Sequence, residues 1–237
     1  MIPVVPAPAT LPSLTLVYAD MQALGEPARM LLHYANVPFE DVYAWTYYER
    51  PWRAGAKQQA PFGRVPVLVV DGTHSFDQSG AIQRYLSRLT QTCPADPVLA
   101  AQADALCDHA GELFILSNPC ANFFRGERFT TQVAAFQKAF RPRLAYFSRS
   151  LAAFPDGPFF FGEAPMFCDF SLFHHFQIAT YLDPEIFAEH PDIQAFMSAM
   201  EALPTLQKYL ASRPTLQGVG TAPILVQGDQ IINPGFR

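Results

Sequence analysis

Across residues 90–97 (TQTCPADP) the hydrophobic period of the chain changes, and this change constrains the fold more than any other feature of the sequence. Before it, short segments of mixed period follow one another. Leu14 to Tyr18 (LTLVY) is a β-rich run, and Pro27 to Ala35 (PARMLLHYA) has proline just inside its start, as a helix does. Phe39 to Ala44 alternates as a second strand. The polar, aromatic stretch Trp45 to Ala60 reads as a loop, and Val65 to Val70, Asp71-Gly72 and Ser75-Phe76 read as two strands around a tight turn. Ser79 then stands before Ala81, Ile82, Tyr85, Leu86 and Leu89 as a hydroxyl N-cap opening an amphipathic helix. After the breaker-rich connector the period is helical throughout. Leu99, Ala103, Leu106, Ala110, Leu113 and Ser117 step by fours and threes, and so do Val133, Phe136, Phe140, Leu144, Phe147 and Leu151, with Pro142 expected to kink the second helix. A third helix over roughly Met166 to Tyr181 is apolar on nearly every side, which marks it as central, and Ile193, Phe196, Met197, Met200 and Leu203 supply a fourth. The order is therefore β-α-β-β-β-α, a linker, and a helical bundle.

A length of 237 residues suits two modest domains. Hydrophobic residues make up 50% and charged residues 16%, below the usual value of about 25%, so the chain buries a large core under a small charged surface. A net charge of −5 without any basic run argues against nucleic acid or an anionic membrane as partner. No apolar run approaches the roughly 18 residues of a membrane span, which predicts a soluble protein. The N-terminal MIPVVPAPATLPS lacks the positive start and apolar stretch of a secretory signal; it reads as a Pro-rich extension, expected to be poorly ordered. Cys93, Cys107, Cys120 and Cys168 form no C-x-x-C pair, so free thiols in a reducing cytoplasm are expected rather than zinc or dithiol chemistry. His174 and His175 are adjacent, point to different faces of a helix and cannot form an i, i+4 metal pair. No metal site is expected.

Four segments carry a family resemblance. They are Tyr18 with Gly25-Glu26-Pro27-Ala28-Arg29, Pro61-Phe62-Gly63-Arg64-Val65-Pro66-Val67-Leu68, Asp77-Gln78-Ser79-Gly80-Ala81-Ile82, and Leu206-Gln207-Lys208-Tyr209-Leu210-Ala211-Ser212-Arg213-Pro214. In this order and spacing the chain resembles the cytosolic glutathione transferases over roughly residues 14–213. Tyr18 looks like the tyrosine-type classes, and Trp52 and Lys57 look most like sigma. The resemblance implies a thioredoxin-like α/β domain over 14–89, a linker over 90–97 and an all-helical domain over 98–214, flanked by the extension 1–13 and a tail over 215–237. It further implies a homodimer that conjugates glutathione to small apolar electrophiles. The rival readings are a sigma-type glutathione-dependent isomerase and a non-catalytic, crystallin-like member.

Conjugation needs glutathione as thiolate, yet a thiol of pKa about 8.5 is only about 3% ionised at pH 7. A hydroxyl donating to the sulfur favours the anion; at about 1.5–3 kcal/mol, such a bond lowers the pKa by roughly one to two units. The resemblance gives this role to Tyr18. It implies a cis Val65-Pro66 bond that turns the Val65 backbone toward the cysteinyl part of glutathione, as a strand pairs with a sheet edge. Gln78 and Ser79 would hold the glutamyl carboxylate at a helix N-terminus. Lys57 and Trp52 would meet the glycyl end, with Trp45 able to substitute for Trp52, and Arg64 adjoins the same site. Where sigma and alpha members carry arginine beside the sulfur this chain has Leu24, at a place where the mu class tolerates leucine. Glu112 aligns with an acidic residue that reaches the glutamyl amine from the neighbouring subunit. Asp169 resembles a buried capping aspartate, a folding residue, with Met166 where its Ser or Thr partner usually stands. The acceptor pocket would be built from Leu24, Phe114, Asn118 and the tail. In that tail, Gly228-Asp229 between Ile224-Leu225-Val226-Gln227 and Gln230-Ile231-Ile232 predicts a hairpin.

Overall fold

The computed structural model describes residues 1–232; the end of the tail, 233–237, lies outside the described residues. The N-terminal domain holds β1 (Leu14–Tyr18), α1 (Glu26–Tyr34), β2 (Glu40–Tyr43), the short α2 (Ala44–Tyr47) and α3 (Ala56–Gln59), β3 (Val67–Val70), β4 (His74–Asp77) and α4 (Ser79–Leu89). Its sheet has the order β2-β1-β3-β4, with β1 parallel to β2 and antiparallel to β3. The two central strands are covered on both faces, which is why β3 reads as an unbroken VLVV run. Leu14, Leu16, Leu68 and Val70 face α1, α4 and the main core, whereas Val17, Val67 and Val69 pack on Ala44, Trp52, Ala56 and Ala60. The segment 45–60 is thus not a simple loop. It folds into short helical turns because its small and aromatic residues cover the second face of the sheet. Asp71 (φ +51) and Gly72 (φ +67) form the β3–β4 turn, closed by the Thr73 N–H donating to Val70 O at 3.2 Å; two left-handed residues match the twist of a hairpin.

The C-terminal domain comprises α5 (Pro97–Asn122), α6 (Gly126–Ala152), α7 (Phe167–Leu182), α8 (Pro191–Ala202) and α9 (Pro204–Ser212). Asp96 caps α5, its carboxylate accepting the N–H groups of Val98 and Leu99 at 2.9 Å each ahead of Pro97. Pro142 lies within α6, which continues to Ala152. Phe136, Phe140, Phe147, Phe160, Phe176 and Phe196 make tilted or edge-to-face contacts around α7, whose side chains are buried almost throughout. Asp169 keeps the half of the capping box that its sequence allows: it takes the Met166 N–H at 2.8 Å and the Phe160 N–H at 3.0 Å. Burial pushes its carboxyl up to about 7 against those two bonds.

One expectation needs correction and another is borne out and extended. The N-terminal extension is not loose: the Val5 N–H donates to Cys93 O and the Ala95 N–H to Pro3 O, each at 2.9 Å, so the Pro-rich segment pairs with the linker. The tail forms more than a hairpin, since β5 (Thr215–Gln217) joins β6 (Ile224–Gln227) and β7 (Gln230–Ile232) in one antiparallel sheet. Leu216 and Leu225 enter the main core, and Gly228 at φ +57 makes the turn. That sheet lies along the β1–α1 loop and the start of α6. Gln22 Nε2 donates to Pro214 O, and the Gly126 N–H donates to Gly220 O at 3.1 Å.

Candidate active site

Tyr18 ends β1 with 3% of its surface exposed, in a small cluster with Ala19, Met21 and Ala23 against which Leu24, Trp45, Val65 and Phe114 pack. Its ring passes so close to Gly25 that a β-carbon there would stand 2.5 Å from Cδ1, which explains glycine at the entrance of α1. The polar backbone groups of Gly25 and Leu24 lie near the Tyr18 hydroxyl and favour its anion. Burial nevertheless pushes this phenol up to about 12, although Arg29 and those backbone groups favour the anion. The oxygen therefore keeps its proton at neutral pH and can donate to a neighbouring anion.

Val65 and Pro66 are joined by a cis peptide bond, and pairing of β3 begins only at Val67. Gln78, not Ser79, is the N-cap of α4, with φ +71 and no capping bond from its side chain; Ser79 is the first helical residue. The Ser79 hydroxyl is thus not consumed by the helix, and a non-glycine residue in the left-handed region marks a place where the backbone is held against its preference. Gln78 and Ser79 share a cavity of about 300 Å³ with Leu24, Arg84, Asp108 and His175, at the joint between the two domains. Arg84 of α4 bonds Asp104 at 2.9 Å and Asp108 at 2.7 Å on α5, fixing the rim.

The remaining candidates fall around this centre unevenly. Lys57, in α3, and Arg64 are exposed, and the main chain and stem of Lys57 run past Gly63. Trp52 is 8% exposed and belongs to the cluster beneath the sheet, whereas Trp45 packs beside Tyr18 and stacks on Tyr43 at 4.9 Å. Glu112 does not line the cavity within its own chain; it faces α6, 3.6 Å from Arg143. His174 and His175, assigned to no site from the sequence, are buried at 1% and 2% exposure. Among the described residues no group of three or more His, Cys, Asp or Glu could hold a metal ion, and no helix is long and apolar enough to cross a membrane.

Behind Tyr18 lies a charged network that sequence reasoning left without a role. Glu26 accepts from Arg213 Nη1 at 2.6 Å and from the Tyr209 hydroxyl at 2.8 Å, and its other oxygen lies 3.3 Å from Arg29. Arg29 also bonds Asp41 at 2.6 Å and donates to the carbonyls of Met21 and Ala19, which carry the loop between Tyr18 and Leu24. The signal was present: Glu26 and Arg29 stand at i, i+3 in an otherwise apolar helix, and Arg213 sits at the end of another.

Sequence and structure comparisons agree with this layout. Residues 25–89 match the family described as glutathione S-transferase, N-terminal domain, and residues 116–213 match its C-terminal domain. Glutathione S-transferase 1 of Ascaris suum is 28% identical over 208 residues, covering 86% of this chain and 98% of that protein. The hematopoietic prostaglandin D synthase of Gallus gallus is 27% identical over 205 residues, covering 86% and 98%. The crystal structure of the glutathione S-transferase from Ascaris lumbricoides superposes with a TM-score of 0.76 at 28% identity, covering 86% of this chain and 98% of that one. The cis bond before β3, the tyrosine closing β1, the cleft at the start of α4 and both domain matches identify the chain as a member of the glutathione S-transferase family.

Proposed function

We propose that the protein is a homodimeric, cytoplasmic transferase that joins the thiolate of glutathione to the electrophilic carbon of a small apolar acceptor. The observation that carries this reading is Tyr18, protonated at neutral pH and packed against Leu24, which lines the cavity of Gln78 and Ser79. Glutathione would lie along Val65 as an added strand, its glutamyl carboxylate at the N-terminus of α4 beside Gln78 and Ser79, its glycyl end toward Lys57, Arg64 and a tryptophan. Exposure favours Trp45 over the more deeply buried Trp52 for that last contact. The Tyr18 O–H donates to the sulfur anion, the sulfur lone pair forms the new C–S bond, and the leaving group departs with the displaced pair. Leu24 leaves the sulfur without a second donor from that side chain, so Tyr18 and the backbone carry the stabilisation. Glu112 would serve the partner subunit's glutathione, since it faces away from the cleft of its own chain.

The test is Tyr18→Phe. Glutathione affinity is expected to stay within a few-fold, turnover at neutral pH to fall at least about tenfold, and the apparent thiol pKa, read from the pH–rate profile, to rise by about one to two units. Unchanged turnover would remove Tyr18 from the reaction.

A further inference from the structure

Tyr18 lies against the start of α1. Its ring passes over Gly25, and Arg29, one turn further along the same face of that helix, brings its guanidinium carbon to 5.4 Å from the ring centroid. That group has little freedom. Its Nε and Nη2 donate to Asp41 at 2.6 and 3.2 Å, its Nη1 to Met21 O at 3.1 Å and to Glu26 at 3.3 Å, and its Nη2 also to Ala19 O at 3.4 Å. The cation is thus fixed between β2 and the chain that leaves Tyr18, with 8% of the residue exposed. Around it stand Glu26 and His33 of α1, Asp41 of β2, Asp20 of the loop, and Tyr209 and Arg213 from α9 and its end, all on the wall of one cavity that neither Tyr18 nor Leu24 lines. Burial, the largest influence on the Tyr18 phenol, raises it; Arg29 comes next and favours the anion, while Glu26 opposes it. Leu24 offers no charge, and Arg29 does not line the cavity of Gln78 and Ser79, so the cation that bears on the ring stands behind it.

Building on the transferase reading, we infer that Arg29 is a positioning residue for the reaction: its guanidinium fixes the Tyr18 ring and the chain leaving it and, through the ring face, makes the Tyr18 hydroxyl a stronger donor to the glutathione thiolate. A cation over an aromatic face is attracted by its π electrons, and the attraction grows as the phenol gains electron density while its O–H leans toward an anionic acceptor. The proton stays on Tyr18, and the sulfur anion is stabilised. Asp41 partly offsets the effect, because its carboxylate takes two of the guanidinium's bonds.

The measurement is the ionisation of enzyme-bound glutathione, followed across pH by the ultraviolet absorbance of the thiolate. For Arg29→Gln the thiol pKa is expected to rise by about 0.5 to 1 unit, with the glutathione dissociation constant within about threefold of wild type. Arg29→Lys, which keeps the charge without the planar fork, is expected to recover part of that shift. In the Tyr18→Phe background Arg29→Gln should add no further shift, since the effect passes through the phenol. Asp41→Asn gives the opposite sign: the Asp41 side chain is 38% exposed, its loss leaves Arg29 in place with less of its charge offset, and the thiol pKa is expected to fall. Should Arg29→Gln fail to fold because Glu26 and Asp41 lose a partner, Asp41→Asn carries the test with the cation intact. An unchanged thiol pKa in Arg29→Gln, a shift of equal size in the Tyr18→Phe background, or a rise or no change in Asp41→Asn would overturn the inference alone. Wild-type protein whose bound glutathione ionises no more readily than the free thiol would overturn the transferase reading with it.

Discussion

At Tyr18 the useful property is a proton that stays. Its burial keeps the phenol protonated, so a single side chain can lower the thiol pKa without ionising itself. Under the proposed reading Ser79 and Lys57 would act differently, because both would lie at the ends of the bound peptide and away from sulfur. Lys57→Ala and Ser79→Ala are therefore expected to weaken glutathione binding, each raising KM roughly threefold to thirtyfold, with a smaller change in saturated turnover; steady-state kinetics with glutathione as the varied substrate will read this. A change in turnover alone would contradict their placement. Sequence reasoning took Ser79 for the N-cap because a hydroxyl before an apolar helix is the commonest such signal. The structure moves the cap one residue back to Gln78, at a backbone angle that propensity does not anticipate, and this leaves the Ser79 hydroxyl available.

Among the elements, α1 is tied to the end of α9 through Glu26, Tyr209 and Arg213. Burial by itself would push the Glu26 carboxyl up, but Arg213 and Arg29 outweigh it and hold it below the ordinary value. Since the folded state then binds fewer protons than the unfolded chain, the group adds stability above the ordinary glutamate pKa of about 4.3, and that contribution is lost as pH falls through the lower folded value. Glu26→Gln should destabilise the protein by about 3–5 kcal/mol at neutral pH, as removal of one partner from a buried ion pair does, and should flatten the fall of stability below about pH 4.3. Denaturant melts across pH 3–7 would show both; a parallel acid limb in the variant would mean that Glu26 is not the titrating group. The tail belongs to this scale too. Its sheet reaches the Gln22 side of the β1–α1 loop, so it braces the stretch that leads from Tyr18 to Leu24.

For the whole molecule, one apolar core runs from the sheet face through α1 and α4 into the helical bundle, which makes the domain joint part of the interior. What remains exposed is informative. Phe62 is 89% exposed at a turn where its φ is +49, and Ile115 on α5 and Tyr146 on α6 are 70% and 60% exposed. Large apolar side chains held outward on a chain otherwise so well buried fit the proposed contact between two copies. Phe62→Asp and Ile115→Asp are each expected to raise the dimer dissociation constant at least about tenfold, measured by sedimentation velocity. A dimer of unchanged strength in both variants would move the interface elsewhere.

Much of the architecture is legible from local pattern: the period change at 90–97, the turn at Asp71-Gly72, the apolar helix containing Phe170 and Phe176, and the proline-opened helices all follow from interactions within a few residues. The site was legible mainly through resemblance, because nothing in the spacing of Tyr18 alone separates a catalytic hydroxyl from a packing one. Other features had no local signal. Glu26 meets Arg213 across a separation of 187 residues, Trp45 rather than Trp52 comes to lie beside Tyr18, and His175 borders a cavity lined jointly by residues of α4, α5 and α7. Propensity and periodicity report forces acting between near neighbours along the chain; which buried charge finds a partner, and which buried imidazole does not, is decided by distant surfaces that meet only when the two domains close on each other.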